Sequence, residues 1–537
     1  MNRVPSAHTA SSLKDYVEGL FVSSTDEGDH LATLRERLRT CLTTLREAGV
    51  IHLGSWTGGH EARQSALPAG PLSTDEYFEK LLENVALRSV DISSPLCMGH
   101  MSGIVPQFTA VLSEFIVTLN QNLIKREASR ALTLIERQTL GMMHRLVYSR
   151  SEEFYEQHIQ NTESTLGLMT AGGTLGNLTA LWLARNACFP RTEQFEGVEV
   201  AGLPAALERH GYAGAVILGS RLLHYSIQKA AGILGLGSQS VMRLRLDSAN
   251  RVEIKALRES LAECRRRRQR VIAIVGVAGS TDCGSLDPLD EMGRIARDAG
   301  IFFHVDAAWG GPLLFSARHR ARLAGIAEAD SVVIDGHKQM YLPVGTGMLL
   351  LREPSTAKLI EMNSHYVIQN GSGDLGQRSL EGSRDGAALF LHAALHLIGA
   401  EGYGFLMEEN LRKAQLLASM LKERAEFELL FEPETNIVLY RYLPAPFRAP
   451  LQRQRDFSAA ENARLNSFNE MLQKRQSDAG RTFVARTTIE EHGQGESHPV
   501  VALRAVVSNP LIEEKHLRVV LQDQAAIGAE LECLAEW

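Results

Sequence analysis

Between residues 167 and 351 the chain alternates short apolar runs with amphipathic stretches of helix length. The runs lie at 215–219, 271–278, 301–305, 332–334 and 348–351, and 252–264 and 289–299 read as helices between them. Apolar strands without polar alternation, separated by helices, predict a mostly parallel sheet covered on both faces. Ligands of such sheets sit beyond the carboxyl ends of the strands, so the residues following each run are the candidates for chemistry.

The flanking regions have a different texture. Helices are predicted over 29–48, 74–87 and from 108 to about 123, with a looser stretch at 96–106 that holds two glycines. After residue 389, helices at 387–398, 401–421, 458–477 and 513–532 are interspersed with strands at 427–431, 436–442, 482–489 and 500–507. The expected organisation is an α/β protein in three parts: an N-terminal helical segment (1–100), a large domain (101–388) and a small α+β domain (389–537).

Composition narrows the function classes. The 537 residues are 44% hydrophobic and 22% charged, enough for buried cores. Fifty-six Lys and Arg against 63 Asp and Glu give a net charge of −7, which argues against a protein that chiefly grips nucleic acid. The basic run 265–268 reads as a solvated helix end. The six cysteines are scattered without a CxxC pair, and His492 and His498 lack ligand partners at useful spacing, so neither a disulfide framework nor a metal site is expected. The first twenty residues hold Lys14, Asp15 and Glu18 and no apolar signal core, and the apolar runs fall far short of the roughly 20 residues of a membrane span. A cytoplasmic protein without a membrane partner is expected.

Three places following strands could carry chemistry. The Gly/Thr-rich stretch 170–177 (TAGGTLGN) opens a helix, where free N–H groups and the helix dipole suit a phosphate, although many such stretches are plain turns. Asp306, at the end of the run 301–305, would either cap the next helix or face a ligand such as a protonated ring nitrogen. His337 and Lys338 follow the run 332–334, and a partly desolvated lysine there could form a Schiff base.

A phosphate cradle, a carboxylate for a pyridine nitrogen and a lysine after a strand, in that order, are the set pyridoxal 5′-phosphate requires. With the stretches 224–229 (HYSIQK), 278–288 (AGSTDCGSLDP), 304–311 (HVDAAWGG), 330–338 (DSVVIDGHK) and 381–384 (EGSR), the chain resembles the fold-type I, group II pyridoxal-phosphate-dependent amino acid decarboxylases, from residue 93 to about 400. The resemblance implies that fold for the large domain and assigns roles. Lys338 is the Schiff-base lysine. His337, Gly173 and Thr174 hold the phosphate, Asp306 pairs with the ring nitrogen, His224 stacks on one ring face and Ala308 packs on the other. Ser280 stands where the family has a Thr near the ring hydroxyl, and Asp335 where many members have Asn. Arg384 clamps the substrate α-carboxylate, and Tyr366 is the acid that protonates Cα.

Substrate choice is expected to rest on the stretch 99–122. His100, Ser102 and Asn122 fall at positions resembling those near the substrate carboxylates of relatives, and the stretches 99–102, 119–122, 134–138, 284–288 and 380–384 resemble the bacterial branch acting on aspartate. The expected function is conversion of L-aspartate to β-alanine, a pantothenate precursor, by a homodimer with its site at the interface. Decarboxylation of glutamate or another small acidic or diamino acid is the alternative, and a cofactor-binding protein without turnover a more distant one.

Overall fold

Seven strands form the sheet that the apolar runs predict: β1 (Gly167–Thr170), β2 (Gly214–Ser220), β3 (Val241–Leu244), β4 (Gln269–Val277), β5 (Phe302–Asp306), β6 (Ser331–Asp335) and β7 (Gly347–Leu351). This is a computed structural model, and it describes residues 28–47, 49–51, 65–363, 372–448, 457–491 and 498–534. Contacts divide the chain into one unit of residues 1–91 with 478–480 and another of 92–477 with 481–537. In the first, the helices are Gly28–Glu47 and Thr74–Asn84; Ser73 caps the second by accepting the Glu76 N–H at 3.2 Å.

The second unit holds the sheet, in the order β1-β7-β6-β5-β4-β2-β3. All its strands run parallel except β7, which pairs antiparallel with β1 and β6. Helices on the sheet explain why β4 is buried from Val271 to Val277. The helix Leu289–Ala299 has Asp290 and Glu291 in its first turn and Arg297 in its last, and ends on Gly300 at φ 61°. β1 and β3 were not separated by the pattern, because each is four residues long and β3 carries exposed Arg243. The helix Arg126–Tyr148 was missed for another reason: its inner face buries Glu136, Arg137 and His144, which dilute the apolar stripe.

Register brings the strand ends together. Asp306 lies opposite Val277 of β4, while Asp335 and Thr170 both lie opposite Gly347. The last residues of β1, β5 and β6 therefore reach one edge of the sheet.

A second sheet, wholly antiparallel, contains β8 (Phe427–Leu429), β9 (Ile437–Tyr442), β10 (Ala485–Glu491) and β11 (His498–Val506), ordered β10-β11-β9-β8. Trp309, three residues past β5, is buried against Ile437, Leu439, Val500, Ala502 and Val506, and its indole N–H donates to Asn436 Oδ1 at 3.1 Å. This contact seats the small sheet beside the carboxyl ends of the large one. Among the described residues, no single helix is long and apolar enough to cross a membrane.

Candidate active site

The turn after β1 has a backbone that only glycine adopts readily: Gly172 sits at φ +140°. The helix Gly173–Cys188 starts immediately, and the N–H groups of Leu175 and Gly176 return to the Gly172 carbonyl at 3.0 and 3.1 Å. The N–H groups of Gly173 and Thr174, in the first turn, have no helical carbonyl to reach. A Cβ on Gly173 would lie 2.9 Å from Asp335 Oδ2 and 3.3 Å from the Ala308 methyl, so a side chain there would fill the cradle.

This turn opens on a cavity of about 470 Å³, lined also by His224, Asp306, Ala308, Trp309, Asp335, His337 and Lys338. Lys338 Nζ is 3.1 Å from Asp335 Oδ2, whereas Asp335 Oδ1 is buried without a hydrogen-bond partner. Asp306 is buried, with Oδ1 accepting the Ala308 N–H at 3.2 Å and Oδ2 accepting from Asn177 Nδ2 at 2.8 Å. His224 caps the helix Tyr225–Ile233, and burial pushes its pKa below the ordinary value against the opposing pull of Asp306. His337 donates through Nδ1 to the Thr346 carbonyl at 2.9 Å, which turns Nε2 toward Asp335 at 3.7 Å.

Residues 60–443 match the model of the pyridoxal-dependent decarboxylase conserved domain. The chain belongs to the pyridoxal-dependent decarboxylase family. It is 39% identical to an aspartate 1-decarboxylase of Aliivibrio fischeri over 87% of this chain and 86% of that one. It is also 30% identical to an L-2,4-diaminobutyrate decarboxylase of Rhizobium meliloti over 66% of each. Among solved structures, mouse CSAD in its apo form superposes with a TM-score of 0.79 at 22% identity, over 93% of this chain and 99% of that one, a likeness of fold. As a pyridoxal-dependent decarboxylase the protein is a carboxy-lyase whose cofactor is pyridoxal 5′-phosphate. The cavity fits that group: an open helix start for a phosphate, a buried carboxylate at a strand end, a lysine amine, and an unpartnered Asp335 oxygen among them.

The decarboxylase fold gathers some of the sequence-predicted residues and separates others. Gly173, Thr174, His224, Asp306, Ala308, His337 and Lys338 line the one cavity. Ser280 does not; its hydroxyl is buried against Ser285 Oγ at 2.9 Å, and its neighbours Gly279 and Thr281 line the cavity instead. Arg384, expected at the substrate carboxylate, is not among the residues lining this cavity. Both of its terminal nitrogens hold Glu136, at 2.6 and 2.7 Å, so its fork is already filled away from the cavity. Asn122 belongs to the same corner, where its Oδ1 accepts the Arg384 and Ile124 N–H groups, both at 3.2 Å. Tyr366 lies outside the described residues.

Two residues escaped the sequence reading. Arg504, on β11, donates to the carbonyls of Thr281 and Gly99, the latter at 3.3 Å, and leaves Nε without a partner. Among the described residues no carboxylate pairs with it, and burial pushes its pKa down with only partial relief from Asp282. It sits beside His100, whose pKa is lowered by burial and then by Arg504, and whose ring stacks on Phe483 at 5.1 Å. Ser102 is half-buried two residues on. The available signal was an arginine inside the otherwise apolar strand run 500–507. The second residue is Asn177, which lies within the Gly/Thr-rich motif but bonds directly to Asp306.

Proposed function

We propose that the protein removes the α-carboxylate of L-aspartate, giving CO₂ and β-alanine. One observation carries the carboxylate-binding part: Arg504 is a partly buried guanidinium that, among the described residues, pairs with no carboxylate and is bonded to a wall residue of the Lys338 cavity. A guanidinium in that state favours an anion that arrives from solution. The choice of aspartate is supported by the 39% identity to a protein named for that reaction.

The bound cofactor supplies a protonated ring that takes up the electron pair left when the Cα–carboxylate bond breaks. The protein's residues prepare that event. Lys338 Nζ would hold the cofactor, and Asp335 at 3.1 Å keeps the amine placed. The N–H groups of Gly173 and Thr174, with His337, would hold the phosphate. Asp306 would hold the ring nitrogen in its protonated form, and His224 and Ala308 would confine the ring between them. Arg504 orients the substrate carboxylate, with His100 and Ser102 in the same stretch of chain. One proton must replace CO₂ at Cα, and Tyr366 is the residue proposed to deliver it. The protein is proposed to act as a cytoplasmic homodimer that supplies β-alanine for pantothenate.

The test is a product screen of the cofactor-loaded enzyme with aspartate, glutamate, 2,4-diaminobutyrate and tyrosine. β-Alanine should form with the highest kcat/KM. Preference for another amine would overturn the substrate assignment and leave the family standing.

A further inference from the structure

Asn177 is almost wholly buried in the cavity wall, one helical turn past the glycines, and its amide has three neighbours of different kinds. Nδ2 lies 2.8 Å from Asp306 Oδ2 and 2.9 Å from Ser226 Oγ, and Oδ1 lies 2.9 Å from His304 Nε2. The direction of every bond follows from what each atom is able to do. An ionised carboxylate only accepts, so the amide NH₂ faces Asp306 and its oxygen faces His304. His304 must then donate from Nε2, and its Nδ1, free of a proton, accepts the Ser331 hydroxyl at 2.8 Å. This agrees with His304 being neutral, since burial drives its pKa down to about 4. On the other arm, Ser226 Oγ accepts from Asn177 and so donates to His224 Nδ1 at 2.8 Å, where the Ser226 N–H also arrives at 3.3 Å. His224 therefore carries its proton on Nε2.

We propose that Asn177 is the positioning residue of the site: one amide, held by the His304–Ser331 pair, keeps Asp306 oriented and ionised and sets the tautomer of His224. The inference rests on the pairing of Asp306 with the cofactor ring proposed above. An N–H donated to Asp306 favours its charged form, so the shared proton stays on the ring nitrogen and not on the carboxylate. The other charged or titratable groups acting here are Lys338, Asp335 and Asp282, which share the field at His224 with Asp306. None of them donates a hydrogen bond to Asp306. An aspartate in place of Asn177 would have the same shape but would set an acceptor against Asp306, and a like charge beside it.

The experiment loads the full-length protein with pyridoxal 5′-phosphate labelled with nitrogen-15 at the ring nitrogen, and reads that resonance together with the cofactor Kd. The unsubstituted protein should show a protonated ring nitrogen. Asp306→Asn should move the resonance to the unprotonated position; if it does not, the Asp306 pairing itself falls. Asn177→Asp and Asn177→Ala should move it part of the way in the same direction and weaken cofactor binding about ten-fold to a hundred-fold. A shift in Asp306→Asn with none in the Asn177 variants would overturn the role of Asn177 alone. If the Asn177 variants do not fold, His304 supplies the same contrast. His304→Gln, which keeps an N–H donor toward Asn177, should retain the resonance, and His304→Phe should shift it; equal resonances in these two would overturn the proposal. Ser226→Ala cuts only the His224 arm and should leave the ring-nitrogen resonance in place. A residue with a merely structural role would change folding without this pattern.

Discussion

Two partly buried arginines, Arg384 and Arg504, occupy opposite electrostatic conditions in the same unit. Around Arg384 burial works against the charge, but Glu136, with Glu381 and Asp385, more than offsets it and holds the pKa above its ordinary value. Around Arg504 burial again dominates, the opposing charge of Asp282 does not make up for it, and the pKa is lowered. The Arg384 fork is filled by a carboxylate of the protein. The Arg504 fork holds only two carbonyls, of Thr281 and Gly99. A guanidinium whose partner is built in is satisfied within the fold. One left short of negative charge, beside a cavity, is arranged for a ligand.

Substitutions turn that contrast into measurements. The largest effect is expected at Arg504. Arg504→Gln should lower kcat/KM for aspartate about 30-fold to 5,000-fold, the kinetic equivalent of losing a desolvated charge pair worth roughly 2–5 kcal/mol. Cofactor loading should persist, and thermal stability should not fall, because the charge removed was poorly compensated. Normal kinetics in this variant would erase the distinction between the two arginines. Next comes Arg384→Met, which strands Glu136, a side chain only 1% exposed. The expected cost is about 3–5 kcal/mol of stability by denaturant titration, largely recovered in the double variant Arg384→Met/Glu136→Leu. A loss of substrate affinity without a loss of stability would restore Arg384 to the site.

The smallest expected effect lies on the helix that carries Glu136. His144 is buried with Nε2 donating to the Leu351 carbonyl and Nδ1 accepting the Tyr155 hydroxyl, both at 3.0 Å, and burial lowers its pKa from 6.5 to about 4. A depressed folded-state pKa contributes stability that is present above the unfolded value and lost as pH falls. Between pH 6.5 and about 4 this one group should therefore remove about 1.4 kcal/mol per pH unit. His144→Gln should flatten the slope of stability against pH by that amount. An unchanged slope would show that His144 protonates freely in the folded chain.

Much of the site was legible because its residues follow strand ends. The apolar runs mark β2, β4, β5, β6 and β7, and Asp306, His337 and Lys338 come directly at or after two of them. The Gly/Thr stretch was legible for a similar reason, since a glycine at φ +140° must precede the helix that opens there. Ser280 shows the limit of this local reading. Which of three consecutive residues in a turn faces the cavity depends on the turn's path, and the Ser280 hydroxyl turns back to Ser285 while Thr281 lines the wall. Asn177 was inside a recognised motif, but its part depends on His304 and Ser331, which arrive from two other strands.

By itself the sequence determined the alternation of buried strands and helices, the edge of the sheet where ligands belong, and the order of phosphate turn, carboxylate and lysine. These follow from patterns only a few residues long, in which local geometry and burial agree. Only the tertiary structure decided which arginine is available to a carboxylate. Arg504 is a single charge in an apolar strand and Arg384 stands between Glu381 and Asp385, and nothing near either in the chain reveals the group its terminal nitrogens hold. Glu136 lies 248 residues from Arg384, and Thr281 lies 223 residues from Arg504. The free energy of a buried charge is set by what surrounds it in space, and that is known only once those distant segments have packed.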